Sequence, residues 1–188
     1  MSFLENALVL LKKTKCTIAE MKSILKSEGL KHNSRLNKSE LKQFLLEKVN
    51  SIMIDAAKNS HLDIVNQCKE SGVTNFNDIM IEAAEKGDMD AVLLCKKWGA
   101  TKFDRALLYA AEAGHMDIML KCKEWAEPGA INFNYIMIEA ALSGHLNIVN
   151  QCKEWGATNF DAAMLQAVEN GHLDIVIQCK KWGATLFG

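Results

Sequence analysis

Apolar and polar positions along this chain fall into a pattern that recurs. From Phe76 to Gly87 the apolar residues Ile79, Met80, Ala83 and Ala84 form an i, i+1, i+4, i+5 stripe, the period of an amphipathic helix. Asn77, Asp104, Asn134 and Asp161 stand at the start of four such stripes, where N-caps are expected. Gly87, Gly114, Gly144 and Gly171 close them, where a left-handed residue is favoured. A second stripe follows at once, with Ile64, Val65 and Cys68 as its apolar positions in the first copy. Asp63, Asp90, Asp117 and Asp174, and Asn147 in the fourth copy, occupy its first turn, at the positive end of the helix dipole. Trp98, Trp125, Trp155 and Trp182 close later copies, and Gly99, Gly156 and Gly183 turn the chain. Each unit thus predicts helix, tight turn, helix, short loop.

The copies are evenly spaced. Cys68, Cys95, Cys122, Cys152 and Cys179 follow one another at intervals of 27, 27, 30 and 27 residues. An Ala-Ala pair stands twelve residues before four of them, and Ala167-Val168 replaces it before the fifth. An αα-hairpin cannot bury its own apolar face and must stack on its neighbours. The fold class expected is therefore all-α: a helical-hairpin solenoid of five copies over residues 51–188, with a small helical domain over residues 1–50 before it. In such a stack the tryptophans are expected as core between copies and the cysteines as small apolar fillers. The three extra residues around Glu127-Pro-Gly129 read as an insertion in a surface loop.

The first fifty residues follow a different pattern. Residues 1–16 read as an amphipathic helix. Thr17 and Glu20 form a capping box for a second helix, with Met21, Ile24 and Leu25 facing inward and Gly29 ending it. Leu36 to Leu46 reads as a third, with Asn37 or Ser39 near its cap, after a short basic link from Lys31 to Arg35.

Charge separates the same two parts. The net charge of −1 divides into ten Lys and Arg against five Asp and Glu in residues 1–50, and twelve against eighteen in residues 51–188. A basic head on an acidic body suggests different partners for each. No apolar run approaches the roughly 20 residues of a membrane span, so no membrane association is expected. At the start of the chain, Glu5 precedes the apolar stretch and Lys12, Lys13 and Lys15 follow it, the reverse of a secretory signal. Equivalent cysteines in stacked helical copies should lie on the order of 10 Å apart, beyond the roughly 7 Å that a disulfide allows between Cα atoms. Reduced thiols and an intracellular location, cytoplasmic or nuclear, are the expectation.

Two stretches resemble known families. The run Ala110-Ala-Glu-Ala-Gly-His-Met-Asp-Ile-Met119, like Ala141-Leu-Ser-Gly-His-Leu-Asn-Ile-Val149, is similar to the core of an ankyrin repeat. It departs from that family in opening on Phe-(Asp/Asn) rather than Thr-Pro-Leu-His, and in a unit of 27 residues rather than about 33. The missing residues fall where the β-hairpin finger would be, so ankyrin-like helical pairs without fingers are implied. The shortened form, with Cys-Lys-(Glu/Lys)-Trp-Gly-Ala, resembles arrays from large DNA viruses, which implies a viral protein acting on other proteins or sitting in a virion. The pattern from Met21 to Leu41 resembles the helix–extended–helix motif of SAP domains, with a link closer to the Rho N-terminal variant. That resemblance implies DNA or RNA binding over residues 17–48, with Lys31, Arg35, Lys38 and Lys42 meeting phosphates. The same head also suits a cap on the first copy.

Candidate chemistry is sparse. His61, His115, His145 and His172 each lie seven residues before a cysteine, about 10 Å along a helix, too far for one zinc to join. Packing and capping at the start of the second helix are expected for them instead. No metal, cofactor or enzymatic activity is expected. The positions that vary between copies are the third and seventh of each first helix. They are four apart, on the face that would line the concave side of a solenoid. Asp78, Glu82, Arg105, Tyr109, Tyr135 and Glu139 are the candidate protein-binding residues, an acidic strip with two tyrosines. Three readings stand: a protein-binding adaptor, a nucleic-acid-associated protein, and a structural assembly subunit that self-associates through its last copy, where Trp182 and Phe187 are expected to be partly exposed.

Overall fold

The structure is a computed structural model that describes residues 3–12, 18–27, 37–58, 62–72 and 75–185. Among these residues there are twelve helices and no strand. The chain divides into two compact units, Met1–Asn75 and Phe76–Gly188.

The first unit contains α1 (Phe3–Lys12), α2 (Ile18–Ser27), α3 (Lys38–Lys58) and α4 (Leu62–Ser71). α1 packs against the other three, and α3 packs on α2 and α4. Leu4, Ala7, Met21, Leu25, Leu41, Leu45, Val49 and Met53 form the buried interior. Asn37 is the cap of α3: its Oδ1 accepts from the amides of Ser39 and Glu40 at 2.9 and 3.1 Å, and its own amide donates to Glu40 Oε2 at 2.7 Å. This reciprocal pair is a capping box. The expected break after Leu46 does not occur. Leu41, Leu45, Val49 and Met53 continue one buried stripe at four-residue steps, and neither Gly nor Pro interrupts it. One helix of 21 residues therefore crosses residues 50 and 51. Thr17, Gly29, Lys31 and Arg35 lie outside the described residues.

The second unit is four helical pairs: α5 (Phe76–Glu85) with α6 (Met89–Lys97), α7 (Phe103–Glu112) with α8 (Met116–Trp125), α9 (Phe133–Leu142) with α10 (Leu146–Glu154), and α11 (Phe160–Glu169) with α12 (Leu173–Lys181). Each helix packs on its own partner, and the first helices pack in a row, α5 on α7, α7 on α9, α9 on α11. Alanine makes this row close. Ala83, Ala84, Ala110, Ala111, Ala140 and Ala141 are buried at the contacts. Isoleucine, methionine and cysteine fill the space between rows, each large apolar side chain worth roughly 1.5–3 kcal/mol on burial.

The turn inside each pair closes on a left-handed glycine. Gly87, Gly114 and Gly144 have φ of 74°, 85° and 84°. The amides that follow, on Asp88, His115 and His145, reach back to the carbonyls of Ala83, Ala110 and Ala140 at 2.8 to 2.9 Å. The turn between pairs uses the same device at Gly99 and Gly156, except after α8. There Ala126 replaces glycine and adopts extended backbone with φ −72° and ψ 148°. A residue with a Cβ resists the left-handed turn, so the chain leaves straight and takes the extra Glu127-Pro-Gly129 to return.

At the last pair, Leu165, Val168 and Leu173 are exposed, whereas their counterparts in earlier copies are buried or half-buried. Trp182 is half-buried, and Phe187 lies outside the described residues.

The five repeat cysteines are free and wholly buried. Burial pushes the thiols of Cys95, Cys122 and Cys152 up to about 12, and those of Cys68 and Cys179 up to about 11. Thiolate is the reactive form. A Cys16→Ser variant at mildly alkaline pH should therefore react with a disulfide reagent at least about a hundredfold more slowly folded than in denaturant. Fast release from the folded chain would contradict this packing.

Candidate protein-binding surface

Four contacts recur between or within copies and hold the surface residues in place. The first uses the histidines. Nε2 of His115, His145 and His172 lies 3.1, 3.0 and 3.0 Å from the carbonyl oxygens of Glu85, Glu112 and Leu142 in the preceding copy. A carbonyl only accepts, so Nε2 carries the proton. The ring rests on the turn glycine of that copy, and a Cβ there would come within 2.6 to 2.7 Å of it. Each histidine stands at the N-cap of its helix, but its side chain makes no cap bond; the packing expected of it is found, the capping is not. Asp88, in histidine's place in the second copy, does cap, accepting from the Ala91 amide at 3.1 Å. The copy that lacks the glycine, with Ser60, is the one just before the copy that lacks the histidine. His61 lies outside the described residues.

The second contact uses the residues expected as N-caps of the first helices. Asn77 and Asn134 sit inside their helices and reach forward instead. Asn77 Oδ1 accepts from the amides of Thr101 and Lys102 at 2.7 and 2.9 Å, and Asn134 Oδ1 from those of Thr158 and Asn159 at 2.7 and 2.9 Å. Asp161 does the same with Thr185 at 2.6 Å. Among the described residues Asp104 makes no counterpart bond, because the longer loop lies ahead of it. The caps of α9 and α11 are Asn132 and Asn159, two residues earlier than expected.

The third and fourth contacts concern tryptophan. Each pairs within its own copy with the phenylalanine that opens the first helix, ring centroids 5.0 to 5.6 Å apart. Lys96, Lys123 and Lys153 then stand over Trp125, Trp155 and Trp182 of the next copy at 4.0, 5.0 and 5.0 Å. The tryptophans are therefore half-buried staples, not core; the cysteines are the core.

On this frame the first helices present an anionic aromatic surface. Tyr135 is 46% exposed, with Tyr109, Glu82 and Glu139 half-buried around the same row. Glu139, by hydrogen bonding first and then by its charge, raises Tyr135 above its ordinary range. Partial burial raises Glu112 first, and the neighbouring charges of Glu139 and Glu85 raise it further. Glu82 is paired with Lys86 one turn along. Asp78 and Arg105 are exposed one turn nearer the helix starts. The sequence reading missed Glu85 and Glu112. Both are the last residue of a first helix, three after Glu82 and Tyr109, and so on the same face. Of the nucleic-acid candidates, Lys38 and Lys42 are exposed on the opening turns of α3, while Lys31 and Arg35 lie outside the described residues.

Among the described residues no cluster of His, Cys, Asp and Glu is arranged to hold a metal ion, and no helix is long and apolar enough to cross a membrane. No protein-family model matches the chain, and no curated protein matches it.

Two tests follow from this geometry. Gly114→Ala places a methyl group against His145 in a left-handed backbone, and should cost about 2–4 kcal/mol in chemical denaturation. Gly99→Ala, where a Cβ meets nothing within 4 Å, should cost about 1–2 kcal/mol. Adding His145→Ala to Gly114→Ala should cost less than the sum of the two singles; strict additivity would separate ring from glycine. Glu112 has a folded-state pKa above its unfolded value, so its ionised form opposes folding above the carboxylate range and the effect vanishes below it. Glu112→Gln should raise the unfolding midpoint at neutral pH and leave it unchanged in acid.

Proposed function

We propose that this chain is a non-enzymatic protein-binding module, an ankyrin-like solenoid of shortened repeats. The Tyr–Glu surface of its first helices takes a basic segment of a partner. The single observation that carries this reading is the crowding of Glu85, Glu112 and Glu139 along the row of the tyrosine pair, where Glu112 is raised first by partial burial and then by the charges of Glu139 and Glu85. A surface that holds like charges together is relieved by a cation, and tyrosine supplies contact area at small entropic cost. Among the described residues, His115, His145 and His172 are bound to carbonyls, and the five repeat cysteines are buried and neutral.

The full chain should bind a labelled peptide rich in lysine and arginine with interspersed leucines, more weakly as salt rises. An acidic peptide of equal length should not bind. Tyr135→Ala with Glu139→Gln should weaken the basic peptide at least about tenfold; undiminished binding would overturn the reading. A second reading, nucleic-acid binding through the head, rests on the exposed Lys38 and Lys42. Duplex DNA serves as the third probe, and salt-dependent binding abolished by Lys38→Gln with Lys42→Gln would favour it.

A further inference from the structure

The second helices carry a row of residues that none of these contacts uses. Leu93 of α6, Leu120 of α8 and Ile177 of α12 occupy one position in successive copies, and they are 45%, 41% and 55% exposed. Asn150 holds that position in α10. Three and four residues further on, hence on the same face, stand Lys96 and Lys97 in α6, and Lys180 and Lys181 in α12. Lys123 and Lys153 hold the first of these two positions in α8 and α10, and Glu124 and Glu154 hold the second. Three of the lysines are fixed over tryptophan rings, so the row presents ordered ammonium groups beside exposed aliphatic ones.

The first helices carry the opposite charge, in Glu85, Glu112 and Glu139 beside Tyr109 and Tyr135. The two rows lie on different helices and both face solvent, so neither covers the other. At these positions the second helices carry six lysines against two glutamates, and the first-helix surface is anionic, so the two are complementary in charge between two molecules.

We propose that the chain self-associates side by side, the lysine–leucine row of one molecule docking on the Tyr–Glu surface of a second copy. This rests on reading that surface as a protein-binding one, and it names the partner. The contact is heterologous, because two different surfaces meet, so it extends from molecule to molecule unless a rotation closes it. Its charged pairs make it salt-sensitive.

Sedimentation velocity on the full chain tests it. At low ionic strength the average mass should rise with concentration, and added salt should return it to monomer. Glu112→Lys with Glu139→Lys reverses the acidic row, and Lys97→Glu with Lys181→Glu reverses the basic one without touching the tryptophan-bound lysines. Each variant alone, checked for native helicity, should lose at least tenfold in association. An equimolar mixture of the two should regain it, because a lysine row then meets a glutamate row. A parent that stays monomeric, variants that associate like the parent, or a mixture that stays monomeric would overturn the proposal. Binding of the parent to phosphatidylserine vesicles without self-association would also overturn it and assign the lysine row to an anionic surface. The basic-peptide assay on the same samples separates the two failures: a monomer that still binds the peptide loses only the self-association.

Discussion

The arrangement of the second unit depends on a glycine that turns left-handed at the end of α5, α7 and α9. Its positive φ closes the helix, and its missing side chain makes room for the imidazole of the next copy. One residue thus sets both the geometry within a hairpin and the distance to the following one. The histidine N–H then satisfies a carbonyl at the end of the first helix, where helices leave acceptors without intrahelical partners. Since the glycine is needed for its backbone and for its absence of bulk, two independent penalties guard the position. The histidine bond is accordingly kept across the longer loop after α8, where His145 Nε2 still meets the Glu112 carbonyl at 3.0 Å.

Much of this was legible in the sequence because it is local. The helix stripes, the left-handed glycines and the alanine pairs are read within ten residues, and each lies in the structure where its chemistry places it. Cysteine as filler was legible too, since a small apolar residue at fixed spacing on a helix face has few other uses. The misassigned residues share one property. Asn77, Asn134 and Asp161 bond to amides 24 or 25 residues ahead, and the histidines to carbonyls 30 or 33 residues behind. A cap and a long-range brace use the same side chains, and nothing within the helix distinguishes them. Tryptophan was misread for a related reason: a large ring at a fixed position reads as core, whereas here it is stapled to phenylalanine on one side and covered by lysine on the other. α3 was cut in two because the change of pattern near residue 50 marks where the copies begin, not where a helix ends.

The candidate surface was half legible. Positions that vary among copies located Tyr109, Tyr135, Glu82 and Glu139, because residues free of stacking duties are free to differ. Glu85 and Glu112 escaped because they sit beside the alanine pair, where the eye is drawn to the packing. Their weight comes from neighbours on adjacent helices, and only stacked copies bring Glu85 and Glu139 close enough to Glu112 to add to what burial does to it.

The same stacking explains why a surface of like charges is tolerated. Each hairpin is held to the next by a buried apolar contact, a histidine bond and a lysine-covered ring, and no single carboxylate can undo that. Glu112 costs some stability, since burial and then the charges of Glu139 and Glu85 raise it, but the copies it belongs to are secured elsewhere. A repeated frame therefore permits a repeated charge that an isolated helix pair would not hold. The lysines of the second helices complete the logic, because covering a ring fixes an ammonium group at one point in every copy from α6 to α10. The hairpin thus separates charge by helix, with carboxylates beside the tyrosines on the first helices and ring-covering lysines on the second.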